Sequence, residues 1–416
     1  MNALPQSLAK HRVRATDQAA VIEGVVRWSP GKSIWFIGMT LVALLGGVLL
    51  FSWSAFALFI VSTGIVLLFG HSLGSHRKLI HDSFQCPRWL ERTLVYLGVQ
   101  VGLAGPLGLL RQHELRDYAQ RLPDCHPYLR HGRGPCLDAW WQLNCDLQLI
   151  NAPEIQLEPR IANDAFYRFL ERTWMWQQLP VAVLFYLWGG WSFVVFGVCA
   201  RVSAGVFGHW LIGYFAHNHG EMHHEVRGAA VQGRNIRWTS LLTMGEGWHN
   251  NHHAFPGSAR LGLHPGEWDP GWWVLAALQQ LGLVWSVRLP AQLEPRPELV
   301  RLDALPSSSN LHLRRLLRLL CSSGAPDDLE VVWPGRRVGP ARLRWMLSIA
   351  TRTTLEPSSS RLLLRSGGQE LLVGVPALCA AIAHHRGAWV RSLMLLCAPL
   401  AAGLECARDC YRPTAV

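Results

Sequence analysis

IWFIGMTLVALLGGVLLF (residues 34–51), SWS (52–54) and AFALFIVSTGIVLLFG (55–70) form two uncharged apolar runs with a three-residue break, and HSLGSHRKLIH (71–81) follows them directly. Each run is slightly shorter than the roughly 20 residues a helix needs to cross a bilayer. So short a connection folds the pair into a hairpin that returns the chain to the side it left. Lys10, Arg12, Arg14, Arg27 and Lys32 precede the hairpin, and Arg77, Lys78, Arg88 and Arg92 follow it. By the excess of basic residues on cytoplasmic flanks, both ends of the hairpin are expected in the cytoplasm.

A second hairpin reads from Trp174 to Ala216, with arms Leu179–Ala200 and Val202–Ala216 turning near Arg201. His209 lies inside the return arm, where an ionisable side chain either serves function or packs one helix on another. Leu94–Leu110 is apolar but broken by glycines and Pro106, which suits a re-entrant or interfacial segment. Beyond Pro290 a linker-like Glu294-Pro295-Arg296-Pro297 leads to an Arg- and Leu-rich amphipathic stretch, Leu311–Leu320. The runs Leu371–Ala383 and Leu393–Leu404 are too short to be spans. The expected architecture is mainly α and multi-pass: two transmembrane hairpins capped by a cytoplasmic, helical, metal-binding region. Residues 1–33 form a cytoplasmic N-terminal segment, 34–291 the membrane domain and 292–416 a C-terminal extension.

Composition agrees with a membrane environment. Half of the 416 residues are hydrophobic and only 16% are charged, against about 25% in soluble domains. The formal charge of +11 suits anionic lipid and an acidic protein partner. Nucleic acid is excluded as a partner, because basic nucleic-acid proteins do not carry long uncharged apolar runs. The ten cysteines include no CxxC pair, which argues against a zinc ribbon or a disulfide framework. MNALPQSLAKHRVRATDQ has neither an apolar core nor a small-residue cleavage site, so the first span is expected to direct insertion.

Eleven of the nineteen histidines lie at or between the ends of the hairpins or shortly after them. His71, His76 and His81 follow the first; His217, His219, His223 and His224 follow the second. His113 lies between them, and His249, His252 and His253 come shortly after. The last three stand at i, i+3 and i+4, on one face of a helix. Neutral imidazoles converging from several helices make a polynuclear site for iron, copper or zinc.

Gly245-Glu246-Gly247-Trp248-His249-Asn250-Asn251-His252-His253-Ala254-Phe255-Pro256 resembles the third histidine box of the membrane fatty acid desaturases, GEGxHNxHHxFP. Asp269-Pro270-Gly271-Trp272-Trp273 and Leu281-Gly282-Leu283-Val284-Trp285 resemble that family's closing segment. His76-Arg77 with His81, then Ser83-Phe84 and Pro87, is similar to its first box, which makes His71 an extra histidine. Trp210–His217 is similar to the short motif with an isolated ligand, except that the family's Asn four residues earlier is Gly213 here. The second box departs: where the family has HRxHH this chain has His113-Glu114-Leu115-Arg116-Asp117. Arg116 cannot ligate a metal, because its guanidinium stays protonated. The resemblance covers residues 30 to 290.

The resemblance implies an oxygen-dependent acyl desaturase with two iron ions. Its ligands would be His76, His81, His113, His217, His249, His252 and His253. His71, Asp117, His219, His223 and His224 are candidates for the missing ligands or for supporting positions; Asp117 with His223 or His224 is the expected replacement, and Arg116 is expected to pair with Glu114 or Glu221. The substrate would be a fatty acyl chain on coenzyme A, carrier protein or lipid. Electrons would come from a separate donor such as a ferredoxin or small cytochrome, since His264-Pro265-Gly266 reads as a loop and not as a haem motif. A lipid hydroxylase on the same scaffold, or a non-catalytic metal-binding membrane protein, is the alternative.

Overall fold

The computed structural model describes residues 12–14 and 20–302, and beyond them only the backbone of five short strands between residues 330 and 412. Two compact units emerge, Met1–Val300 and Arg301–Val416. In the second, β5 (Glu330–Trp333), β6 (Arg336–Val338), β7 (Arg361–Ser366), β8 (Gln369–Gly374) and β9 (Tyr411–Arg412) form an antiparallel sheet in the order β9-β8-β7-β5-β6. The expected amphipathic stretch at 311–320 and the apolar run at 393–404 lie outside the described residues.

The first unit is mainly helical, and three of its helices are long and apolar enough to cross a membrane: Pro30–Leu49, Trp53–Ile80 and Gln178–Asn218. Helix α1 (Pro30–Leu49) begins on a proline at its first turn, where a missing N–H costs nothing. Its outer face is apolar and bare: Ile34, Leu45 and Val48 are all exposed. Water would not tolerate such a stripe; lipid does. At the turn Ser52 caps α2 (Trp53–Ile80) by accepting from Ala55 N at 3.2 Å.

The third apolar helix is two. α7 (Gln178–Val194) leaves helical geometry at Gly189 and at Gly190, whose φ of +67° favours glycine. The chain then runs through a π-helical stretch, Val195–Ala200, into α8 (Arg201–Asn218). Arg201 Nη2 donates to Gln178 Oε1 at 2.6 Å. Twenty-three residues of straight helix would hold those groups about 34 Å apart, so the chain has folded back. The turn is therefore at Gly189–Gly190 and not near Arg201. Arg201 is a buried cation held by Gln178 and, at 3.2 Å, by Gln100. The sequence marker was a charge that has polar partners inside, whereas the backbone turned at two glycines.

Both turns lie at one end of the bundle, for Ser192 Oγ donates to Leu50 O at 2.6 Å and meets Ser52 Oγ at 3.2 Å. Exposed Trp53, Trp188 and Trp191 surround them, as tryptophan does at membrane interfaces. The histidine-bearing ends of α2 and α8 lie opposite.

The segment expected to be re-entrant forms α3 (Arg88–Val99), a turn at Gly102 (φ +84°) and α4 (Pro106–Arg121). Val95, Val99, Leu107 and Leu110 are buried, packed with Leu79, Ile80, Ile161 and Leu170, while Leu94 is buried with Leu73 and Phe84. Glu171 of α6 (Ala165–Thr173) accepts from Leu107 N and Gly108 N at 2.9 and 3.0 Å, satisfying the first turn of α4. Below the helices, β2 (Gly24–Trp28) pairs antiparallel with β3 (Cys145–Leu149), and β1 (Val13–Arg14) with β4 (Glu154–Ile155). The N-terminal segment thereby delivers Arg12 into the interior, where it donates to Glu114 at 2.7 Å, Glu158 at 2.8 Å and Ile80 O at 2.6 Å.

Contact between α2 and α3 depends on Gly74, where a Cβ would collide with the Leu94 carbonyl. Gly74→Val should destabilise the protein by about 1–3 kcal/mol, the usual cost of overpacking. Gly31→Ala, whose Cβ meets nothing within 4 Å, should leave stability unchanged. Thermal melting followed by fluorescence-detected size exclusion compares the two.

Candidate metal centre

Two groups of imidazoles meet where α2 and α8 end, beside the middle of α4: His76, His81, His113 and His252 in one, His217, His249 and His253 in the other. Local backbone explains each contribution. From Val66 to Ile80 α2 is π-helical, with i→i+5 hydrogen bonds, and His81 N donates to His76 O at 3.1 Å. Residues five apart therefore stack along one side. His76 Nε2 and His81 Nε2 come within 3.2 Å, and the His71 ring lies parallel to that of His76 at 6.4 Å. On α4, Asp117 is one turn beyond His113, its Oδ2 3.5 Å from His113 Nδ1, while Glu114 on another face goes to Arg12.

The third box forms α9 (His249–Ala254), six residues long and far too short to be stable alone. Its two asparagines anchor it. Asn250 Oδ1 accepts from His223 N at 2.7 Å and His224 N at 2.9 Å, and Asn250 Nδ2 donates to Gly233 O at 2.8 Å. Asn251 Nδ2 donates to Leu261 O and to Glu267 Oε2, both at 2.8 Å. Held so, α9 sends His252 to the first group and His249 and His253 to the second. The shared helical face expected from the spacing is split between two sites.

The donor set fits metal ions. His217, His249 and His253 bring their Nε2 atoms to 3.1 Å from one to the next, close to the roughly 3.3 Å that tetrahedral bonds of about 2.0–2.1 Å impose. His217 Nδ1 donates to Gly213 O at 2.6 Å, which leaves Nε2 as the lone-pair donor. Glu246 Oε2 lies 2.6 Å from His76 Nδ1 and selects Nε2 there in the same way. The Nδ1 atoms of His81 and His252 are buried without hydrogen-bond partners. Burial first, then neighbouring imidazoles, holds His81, His252 and His253 well below the usual histidine range. Burial takes His249 to about 4 against a smaller upward pull from Glu246. All four are neutral near pH 7, the state that binds metal.

Other sequence candidates fall elsewhere. His71 packs edge-on against His209 at 5.2 Å and joins neither group. His219 ends α8 beside Phe215. His223 joins a third group with His264 and Glu267, and His224 lies against Phe255. Asp117 lines one cleft with His252 and His253. Arg116 is not paired with Glu114 or Glu221: it donates to Leu129 O at 3.3 Å, Gln142 Oε1 at 2.8 Å and His131 Nε2 at 2.7 Å.

His131 was not singled out from sequence. Its buried ring stacks on His217 at 5.4 Å, and its Nδ1 donates to Asp138 Oδ1 at 2.8 Å. Trp210 Nε1 donates to the same oxygen at 2.9 Å, and burial raises Asp138 to about 6. A Cβ on Gly213 would meet His131 Nε2 at 3.2 Å, so the glycine leaves room for this ring.

The fatty acid desaturase family profile matches residues 51–278. The chain belongs to the fatty acid desaturase family. It is 34% identical over 264 residues to the sn-1 stearoyl-lipid 9-desaturase of Anabaena variabilis, covering 62% of this chain and 93% of that one. It is 32% identical over 268 residues to the acyl-CoA 5-desaturase AL21 of Anemone leveillei, covering 63% and 81%. The sn-2 palmitoyl-lipid 9-desaturase of Nostoc is 33% identical over 244 residues, covering 57% and 82%. As a desaturase the chain is an oxidoreductase, with apolar helices long enough to cross a membrane and histidine groups able to hold metal.

Glu246 is the test of how the desaturase orients His76. Glu246→Gln keeps the shape but not the charge that favours Nδ1–H, and such changes typically weaken a metal by about 10–100-fold. Metal titration of the purified protein should show one weakened site and the others unaffected.

Proposed function

We propose that this chain is an integral-membrane fatty acyl desaturase that uses dioxygen and a histidine-held pair of iron ions to introduce a double bond into an acyl chain. The observation that supports it best is that one short helix, α9, supplies both histidine groups, so two ions would sit side by side. His76, His81, His113 and His252 would hold one iron, and His217, His249 and His253 the other. Bound there and reduced by a separate electron donor, iron supplies the oxygen-activating power that side chains lack.

The protein's own part is positional. Gly213 O and Glu246 fix ring tautomers, Asn250 and Asn251 hold α9 against rotation, and Arg77 locks Glu246 in place. Asp117, beside His113 at 3.5 Å and facing the cleft with His252 and His253, would orient His113 or add a carboxylate to that group. In this reading the turn end faces outside and the histidine end the cytoplasm, where a ferredoxin or small cytochrome meets a basic protein; the Lys and Arg residues flanking the first hairpin support it. The substrate is an acyl chain on coenzyme A, carrier protein or lipid; the relatives include both acyl-CoA and acyl-lipid enzymes by name. Residues 34–291 carry the activity and 292–416 form an extension.

Expression in a desaturase-deficient host, with fatty acids profiled by mass spectrometry, should yield a new monounsaturated acid. His252→Ala and His253→Ala should each abolish it and lose iron from one site. A hydroxylated product in its place would establish the hydroxylase reading, and stable protein with neither product nor iron would sink both.

Orientation has its own test. In a cysteine-free background, Trp238→Cys should react with a membrane-impermeant maleimide only from the cytoplasmic face. Trp53→Cys, at the tip of the first hairpin, should react only from the opposite face. Labelling of position 238 from outside would overturn the topology.

A further inference from the structure

His264-Pro265-Gly266 belongs neither to the two histidine groups nor to a haem motif. It sits in a third cluster: one ligand atom from each of His223, His264 and Glu267, all within 4.8 Å of one another. The turn around Gly266, φ +81°, carries the chain from His264 back to Glu267, whose N donates to His264 O at 3.1 Å. Glu267 is held as a carboxylate with one oxygen spent and one spare. Its Oε2 accepts from Leu263 N at 2.7 Å, His264 N at 2.9 Å and Asn251 Nδ2 at 2.8 Å. Its Oε1 faces His223 Nε2 at 3.8 Å. The His223 and His264 rings lie 4.6 Å apart, and His264 Nε2 is buried with no hydrogen-bond partner. Two imidazoles and a carboxylate are a donor set for a divalent first-row ion, zinc or ferrous iron, with a remaining position for water.

We infer that His223, His264 and Glu267 form a third metal site, separate from the paired histidine groups, that fastens the third box in place. The site straddles α9. On one side the backbone N–H groups of His223 and His224 hold Asn250; on the other, Glu267 and Leu261 O hold Asn251. An ion joining His223 to His264 and Glu267 would close this clamp around a helix too short to hold itself. The ion's role is structural.

The test is a metal count on the full chain, purified in detergent and equilibrated with zinc, so that the result does not depend on iron chemistry. Inductively coupled plasma mass spectrometry should find about three ions per wild-type chain. His264→Ala and His223→Ala should each retain two. Adding His217→Ala to His264→Ala should remove one more, because the sites are independent. A wild-type count of two overturns the inference. So does a count of three that neither substitution lowers, which would put the extra ion elsewhere. If His264→Ala does not fold, His223→Ala decides, since the His223 side chain is 32% exposed and its removal leaves no core cavity.

Discussion

Arg77 is the buried charge on which the centre depends. Its side chain, 1% exposed, donates through Nη2 to Asp269 at 2.8 Å and through Nε to Ala259 O at 2.8 Å, and Nη1 reaches Glu246 at 3.2 Å and Ser72. Both acidic partners do a second task. Glu246 orients His76; Asp269 accepts from Leu261 N at 2.7 Å and caps α10 (Pro270–Gln280) through Trp272 N. One guanidinium thus ties α2, the approach to the third box and the closing helix together. Removing one partner of a buried pair costs about 3–5 kcal/mol, because the other charge is left unpaired. Gly271 is part of the same arrangement, since a Cβ there would strike the guanidinium. The Arg of the first box is therefore a cross-link, and its neighbours His76 and His81 take their positions from it.

What the sequence made legible was what repeats along one element. Apolar runs, a break at Ser52 and histidines near helix ends are local patterns, and the structure has them at those residues. The turn of the second hairpin was misplaced because a charge inside an apolar run was read as a marker of water. Arg201 instead finds Gln100 and Gln178, which are distant in sequence and give no local signal. The i, i+5 spacing of His71, His76 and His81 belongs to no α-helical face. It became a shared side only because the helix is π-wound there, and no residue in Val66–Ile80 announces that winding. Gly189-Gly190 was the available clue to the turn.

The second box and its surroundings form one hydrogen-bonded set. Arg116 stands where the family has a histidine and Gly213 where it has an asparagine. His131, supported by Asp138, fills the space that Gly213 opens and accepts a hydrogen bond from Arg116. Arg116 donates only, so His131 Nε2 must be unprotonated, and its proton sits on Nδ1 facing Asp138. Burial, followed by Arg116 and His249, holds His131 well below the usual histidine range, in keeping with that tautomer. The cation is thereby given neutral and carbonyl acceptors beside the histidine groups, and needs no acid among the ligands.

The two groups are consequently unlike. The first gathers four imidazoles with Asp117 alongside, and its rings lie between 4.6 and 6.2 Å apart. The second has three imidazoles, with the His131 ring stacked on His217 and Arg116 bonded to His131 alongside. A metal held by three neutral donors keeps open positions, whereas one held by four or five has few. Because α9 serves both, any rotation that improves His252 at the first group disturbs His249 and His253 at the second. The asparagines between those histidines, pinned on both sides of the helix, are what keep unlike sites compatible on one turn and a half of backbone.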